Sequence, residues 1–248
     1  NSLILTPIVI ALGCWPCAAA ELRTLSTDRP DTTESPYTVD AGHYQFEMEI
    51  AAWNRDHEFS LGELNAKVGL DPATDLQVVM PFYNHVRDGD EGFGDVEIRL
   101  KHNLWGNDAG PTALALMPFI KLPTANDDLG NGEIEGGLII PYGFEGPFGW
   151  SCAVMAEVDL AADDDGGGYQ PELLTSATAS HELTETTGIF LELVSLLSAE
   201  SEADREAYFN TGVTCAVTAT WQLDGGVRIG LTKSSADFTP FLGVSTKF

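Results

Sequence analysis

The feature of this chain that most constrains its fold is an alternation of apolar and polar residues with a period of two, repeated along most of its length. From His43 to Trp53, Tyr44, Phe46, Met48, Ile50 and Ala52 fall on one face, and Gln45, Glu47 and Glu49 on the other. Leu64, Ala66, Val68 and Leu70 oppose Asn65 and Lys67 in the same way. Val96, Ile98 and Leu100 oppose Glu97, Arg99, Lys101 and Asn103. Trp150, Cys152, Val154, Ala156, Val158 and Leu160 oppose Ser151, Glu157 and Asp159, and the pattern persists to Phe248. Such a period belongs to strands with one polar and one apolar face.

A soluble sandwich and a membrane barrel both alternate, but with opposite meaning. In the sandwich the apolar faces share a core; in the barrel they meet lipid, on strands of about 9–11 residues, and the polar faces line the lumen. The connections separate the two. Twelve strands are predicted, at 43–53, 60–70, 75–85, 94–104, 111–122, 133–144, 149–160, 171–181, 187–197, 208–220, 222–231 and 239–248. The segment 171–181 has the weakest pattern, because Leu173 and Leu174 begin opposite phases. Between strands, tight turns such as Asp71-Pro72-Ala73-Thr74 alternate with longer acidic loops such as Val86 to Phe93. Short turns on one side and long loops on the other are the mark of outer-membrane barrels. Trp105, Phe148, Trp150, Trp221 and Phe248 gather at the short-turn ends, and Trp53, Tyr83, Tyr208 and Phe238 at the long-loop ends, as two interfacial girdles would. The expected fold is therefore all-β: a closed, antiparallel, up-and-down transmembrane barrel with short periplasmic turns and longer acidic extracellular loops.

Residues 1–20 read as a signal peptide, with an apolar run from Leu3 to Leu12 and Ala18-Ala19-Ala20 before Glu21. The basic n-region is missing and the chain begins at Asn1, so this end reads as truncated. Ala11-Leu12-Gly13-Cys14 has the wrong order for a lipoprotein box. Residues 21–42 form a polar, proline-containing segment ahead of the barrel proper, 43–248. This segment is expected either to trail in the periplasm or to fold into the lumen as a plug, with Arg29 and Asp31 meeting wall charges. Export to the outer membrane of a Gram-negative cell follows.

The mature chain keeps two cysteines, Cys152 and Cys215, on strands that do not pair, which supports neither a disulfide framework nor a zinc site. A net charge of −26 argues against nucleic acid, whose phosphates need a basic face. The expected partners are outer-membrane lipids, the barrel-assembly machinery through the C-terminal strand, and a small hydrophobic or aromatic solute; no cofactor or metal is expected. The last strand ends on Phe248 and resembles an outer-membrane assembly signal, with Phe241, Gly243 and Phe248 as its marks.

Several stretches resemble the barrel family described as "putative MetA-pathway of phenol degradation": Thr27-Asp28-Arg29-Pro30-Asp31, Gly42-His43-Tyr44-Gln45-Phe46-Glu47, Gly92-Phe93-Gly94-Asp95, Leu116-Met117-Pro118-Phe119 and Leu223-Asp224-Gly225-Gly226. The resemblance implies uptake linked to the breakdown of hydrocarbons or aromatics, and brings no catalytic motif with it.

By phase, the lumen-lining charges are Glu47, Glu49, Lys67, Asp75, Glu97, Arg99, Lys101, Lys121, Glu157, Asp159, Glu192, Asp224 and Arg228, with Glu133, Glu135 and Lys247 beside them. Both signs in a narrow lumen imply pairing, since an unpaired ion there is costly. Val79, Met117, Phe119, Ile139, Met155 and Phe190 are the apolar inward positions. Catalysis is not expected. Ser180-His181-Glu182 is the tightest cluster, but neighbouring strand residues point to opposite faces; His57 and His85 sit in loops beside Asp56, Asp88 and Asp90. Asn126-Asp127-Asp128 and Asp163-Asp164-Asp165 lack a calcium-loop spacing. The chain is thus expected to be a barrel for passive passage of small hydrophobic or aromatic compounds. An occluded structural barrel and a loop-site hydrolase are the alternatives.

Overall fold

A computed structural model describes residues 22–54, 58–86, 91–126, 129–130, 132–162, 168–199 and 205–248. The expected signal peptide, His57 with Asp56, Asp88 with Asp90, and both loop aspartate clusters fall wholly or partly outside them. Within them, the alternating segments become twelve long strands: β1 (Tyr44–Trp53), β2 (Phe59–Asp71), β3 (Thr74–His85), β4 (Val96–Trp105), β5 (Thr112–Leu122), β6 (Glu135–Glu145), β7 (Ser151–Ala162), β8 (Tyr169–Glu182), β9 (Thr187–Ser198), β10 (Glu206–Thr218), β11 (Trp221–Gly230) and β12 (Phe238–Lys247). A two-residue strand, Glu91–Gly92, adds to the outer end of β3. Each strand pairs antiparallel with its neighbour in sequence, and β1 pairs with β12 from Gln45↔Lys247 to Ala52↔Phe241. The sheet therefore has no edge, which is the condition for placing backbone in hydrocarbon.

Burial confirms which face is which. The largest wholly buried side chains include Lys101, Gln45, Gln77, Glu47 and Glu192, whereas Leu100, Val154, Val158, Leu193 and Leu242 are more than 40% exposed. A water-soluble protein has the reverse distribution. The barrel is polar inside and apolar outside, as a membrane barrel must be. The tight connections, among them Pro72–Ala73 and the 3₁₀ turn Pro147–Gly149, gather at one end with the start of β1 and the end of β12. Aromatics mark both rims, with Trp221 against Phe248 at 6.4 Å and Phe59 against Tyr83 at 5.6 Å.

Three expectations need correction. Ala52 does not share the lipid face of Tyr44. A bulge at Ile50 shifts the β1–β12 register between Glu49 and Ala51, so Ala52 turns inward and packs, 5% exposed, with Phe190 and Phe241. Glu133 precedes β6 and is exposed. Phe241 and Gly243, two of the marks of the expected assembly signal, lie on the lumen side of β12, opposite in phase to Phe248. The segment around Leu173 is no weak strand: β8 is 14 residues long. Its two phases are both used, Leu173 facing lipid and Leu174 packing inward on Met117, Ile139 and Met155.

Candidate functional site

The segment before β1 runs inside the barrel, and the charges of the wall are arranged around it. It is fixed at the periplasmic end by Asp40, which takes Arg23 Nε at 2.8 Å and Lys247 Nζ at 3.1 Å. Gly69 lets the chain pass, because a Cβ there would lie 2.1 Å from the Asp40 carbonyl oxygen. Val39 N–H donates to Asp75 at 2.9 Å, and Asn103 donates to the Pro36 carbonyl at 2.8 Å.

Deeper in, three clusters hold the tip. Asp28 receives Lys67 Nζ at 2.5 Å and Lys101 Nζ at 2.6 Å, while Lys67 also pairs with Glu47. The Glu47 carboxylate accepts the Asp28 and Arg29 amides at 2.9 and 3.0 Å. Burial alone would raise the Asp28 carboxyl, but the Lys101 and Lys67 ammoniums override it and hold it far below the usual range. Arg29 turns toward the neighbouring wall, bonding Glu49 at 3.2 Å and Asp224 at 2.9 Å, with Arg228 completing the group on Glu49 at 2.5 Å. Both guanidiniums lie over the Phe241 ring, at 5.8 and 4.6 Å. Gly243 leaves room for Arg29 in this position, since a Cβ would stand 2.3 Å from its Nη2. The third cluster is neutral apart from its centre: Glu192 accepts Thr32 N–H, Thr33 N–H, Thr33 Oγ1 and Asn210 Nδ2 at 2.9, 2.7, 2.6 and 2.7 Å. Arg99 binds Glu97 and the plug residue Glu34, each at 2.5 Å.

The expected lumen charges are therefore brought together in large part by the segment before β1. Lys121 pairs instead with Glu135, away from it. Glu157 lines the outer space, and Asp159 stands two residues farther toward the long loops. Asp28, Glu34, Asp40 and Arg23 were not singled out from sequence, because an aperiodic segment carries no facing information. Glu63 was missed although it shares the phase of Asn65 and lines the outer space with it; beyond it Gly62, at φ +71°, makes a second bulge beside Ile50, which turns Ser60 rather than Leu61 into the lumen.

Two cavities flank the tip. The outer one, about 470 Å³, is lined by carboxylates and by Arg29, Arg99 and Arg228. The inner one, about 630 Å³, is lined chiefly by hydroxyls and small or aromatic groups, among them Ser151, Thr178, Ser180, Thr214, Tyr37 and Phe190. Arg29, Pro30, Asp31 and Glu34 contribute to both. Of the apolar inward residues, Met117, Ile139 and Met155 cluster with Phe119, and the Glu34 amide rests on the Met155 sulfur at 3.2 Å. His181 faces away from Ser180, stacked on Trp150 at 5.1 Å, and His85 lies 3.6 Å from Glu91 in the outer rim.

A twelve-stranded closed barrel with a threaded lumen is the architecture of outer-membrane channels. The fold is similar to an outer membrane channel from Pseudomonas putida F1, with TM-score 0.62 at 17% identity, covering 90% of this chain and all of that one. It is also similar to the NanC porin, with TM-score 0.61 at 9% identity, covering 83% of this chain and all of that one. No curated protein matches in sequence. The family model described as "Putative MetA-pathway of phenol degradation" matches residues 27–248, and the chain belongs to that family.

Proposed function

We propose that this protein is an outer-membrane channel for the passive passage of small hydrophobic or aromatic solutes, and that residues 22–42 are its gate. The carrying observation is that one stretch of chain, Arg29 to Glu34, borders both cavities, so moving a few residues would join them. The plug is held mainly by hydrogen bonds and ion pairs, which water can replace as the tip leaves. Family membership supports a link to aromatic breakdown, and the similar structures named above are a channel and a porin. The inner cavity lies within the roughly 300–1,000 Å³ typical of small-molecule sites. Its wall of hydroxyl, small and aromatic groups suits a neutral aromatic better than the carboxylates and arginines that dominate the outer one. Ser180 and His181 point to opposite faces, which favours transport over hydrolysis.

The test uses a contact of the plug with the wall. Thr33 Oγ1 lies 2.7 Å from Ser176 Oγ on β8, so T33C with S176C, in a C152S, C215S background, places two thiols at bridging distance. Oxidation should abolish uptake of labelled toluene or phenol and the single-channel conductance, and reduction should restore both. Equal uptake in the bridged and reduced forms would remove the gate from the reading.

A further inference from the structure

The lumen wall carries an uncharged row that climbs from one end of the barrel to the other. On β9, β10, β11, β12 and β1 the successive cross-strand partners are Phe190, Gly212, Gly226, Phe241 and Ala52. At the tight-turn end the row continues through Ser180 of β8 to Ser151, the first residue of β7. At the long-loop end it continues through Ser60 of β2 to Asn84 of β3. None of these side chains ionises. The rows two residues to either side are charged: Glu192 and Arg228 stand in one, Asp224, Glu49 and Glu63 in the other. Phe190 and Phe241 are each 2% exposed and pack with Ala52. A Cβ at Gly212 would stand 2.7 Å from Phe190 Cε1, and one at Gly226 2.8 Å from Phe241 Cζ, so the two rings lie over the two glycines. With strands about 4.8 Å apart and tilted by about 35–45°, a row crossing from β7 round to β3 climbs about 22–27 Å, the height of the apolar band of such a barrel.

We propose that this row is a track for neutral monocyclic aromatic solutes, with Phe190 and Phe241 as the two faces on which the passing ring rests. The inference rests on the reading of the barrel as a channel for such compounds, and assigns their path. Ser151, Ser180 and Phe190 line the inner cavity, and Ser60 and Asn84 the outer one, so the row joins the two. Its middle lies under the plug: the Arg29 guanidinium stands 5.8 Å from the centre of the Phe241 ring, and Arg29 borders both cavities. A guanidinium and a neutral ring both bind an aromatic by its face or edge. Arg29 therefore occupies the place a passing ring would take, and frees it when the tip withdraws. The flanking rows fix the charge of the solute. A neutral ring passes between them, whereas an aromatic carboxylate would meet Glu192 on one side and Asp224, Glu49 and Glu63 on the other, and like charges brought together are costly. At the two ends, serine hydroxyls and the Asn84 amide can hydrogen-bond a phenolic hydroxyl as it enters and leaves.

Uptake of labelled toluene by intact cells, at matched amounts of heat-modifiable barrel, tests the track. A carboxylate holds water that a neutral ring cannot replace, so a charge on the track should block it. A Cβ at Gly212 or Gly226 would also meet backbone, at 2.4 and 2.3 Å, so the charge is placed at the ends instead. S180D and S60D should each cut uptake severalfold; they stand on different strands, so if one fails to assemble the other decides. The same charge one row over, in A153D and T239D, should leave uptake near wild type. F190L, apolar but without a ring face, should raise the KM for toluene and leave single-channel conductance unchanged. Excess phenol should inhibit the uptake, and excess benzoate should not. If cells with the wild-type protein take up toluene no faster than cells without it, the channel reading fails and the track with it. If uptake depends on the protein but S180D and S60D match A153D and T239D, or benzoate inhibits as well as phenol, the track is overturned while the channel stands.

Discussion

Substitution of Asp28 by Asn tests the plug at a buried charged anchor. Asp28 is 6% exposed, and Lys67 and Lys101 beside it are 3% and 1% exposed. The change keeps the side-chain shape but removes the negative charge and turns an N–H₂ toward two ammoniums. Lys67 retains Glu47, whereas Lys101 is left with Glu34 at 3.9 Å. Removing one partner of a buried pair costs about 3–5 kcal/mol. The barrel wall has its own hydrogen bonds, so nearly all of this falls on docking rather than on folding. At about 1.4 kcal/mol per factor of ten, the open-to-closed ratio should rise roughly 10²–10³-fold, less whatever water entering the lumen returns. Purified D28N in planar bilayers, compared with wild type at one pH, measures that ratio directly. A D28N protein that folds, migrates as a heat-modifiable barrel and opens no more often than wild type would refute the account, because the lysine cluster would then not hold the plug.

Arg placed at Val154, on the lipid face of β7, should cost about 2–4 kcal/mol near the bilayer midplane, read by urea titration of vesicle-inserted protein. The same substitution at Glu157, three residues on and facing the lumen, should spare insertion. G243A should leave assembly intact and raise conductance, because the new methyl displaces Arg29 from Asp224 and Glu49; an assembly defect with normal conductance would return Gly243 to the targeting role expected from sequence. Cys152 and Cys215 lie on β7 and β10, which do not pair, so mass analysis without reductant should show two free thiols in the monomer.

The strands were legible because each alternating residue reports its own facing, and the twelve predicted segments fall within a few residues of the twelve observed. That logic fails where a bulge adds one residue. Ile50 and Gly62 lie beside each other on β1 and β2, and past them Ala52 and Ser60 take the lumen face that counting by twos denies them. The plug was legible only as a possibility. Arg29 was noticed for its charge, but Asp28 next to it, which binds two lysines, has no period to mark it. The contribution of Thr32 and Thr33 to Glu192 comes largely from backbone amides, which no residue type announces.

The plug is N-terminal, yet its contacts are spread around the whole barrel. Arg29 reaches Asp224 across 195 positions of sequence, and Thr32 reaches Glu192 across 160. A segment synthesised ahead of every strand must therefore wait for nearly the last of them before it can seat. During assembly the segment has only part of its binding site, and loop-closure entropy weighs against these distant contacts until the wall is in place. Closure of β12 onto β1 and seating of the plug are then successive events, and a barrel stalled before its final strand would be left with an unfilled lumen.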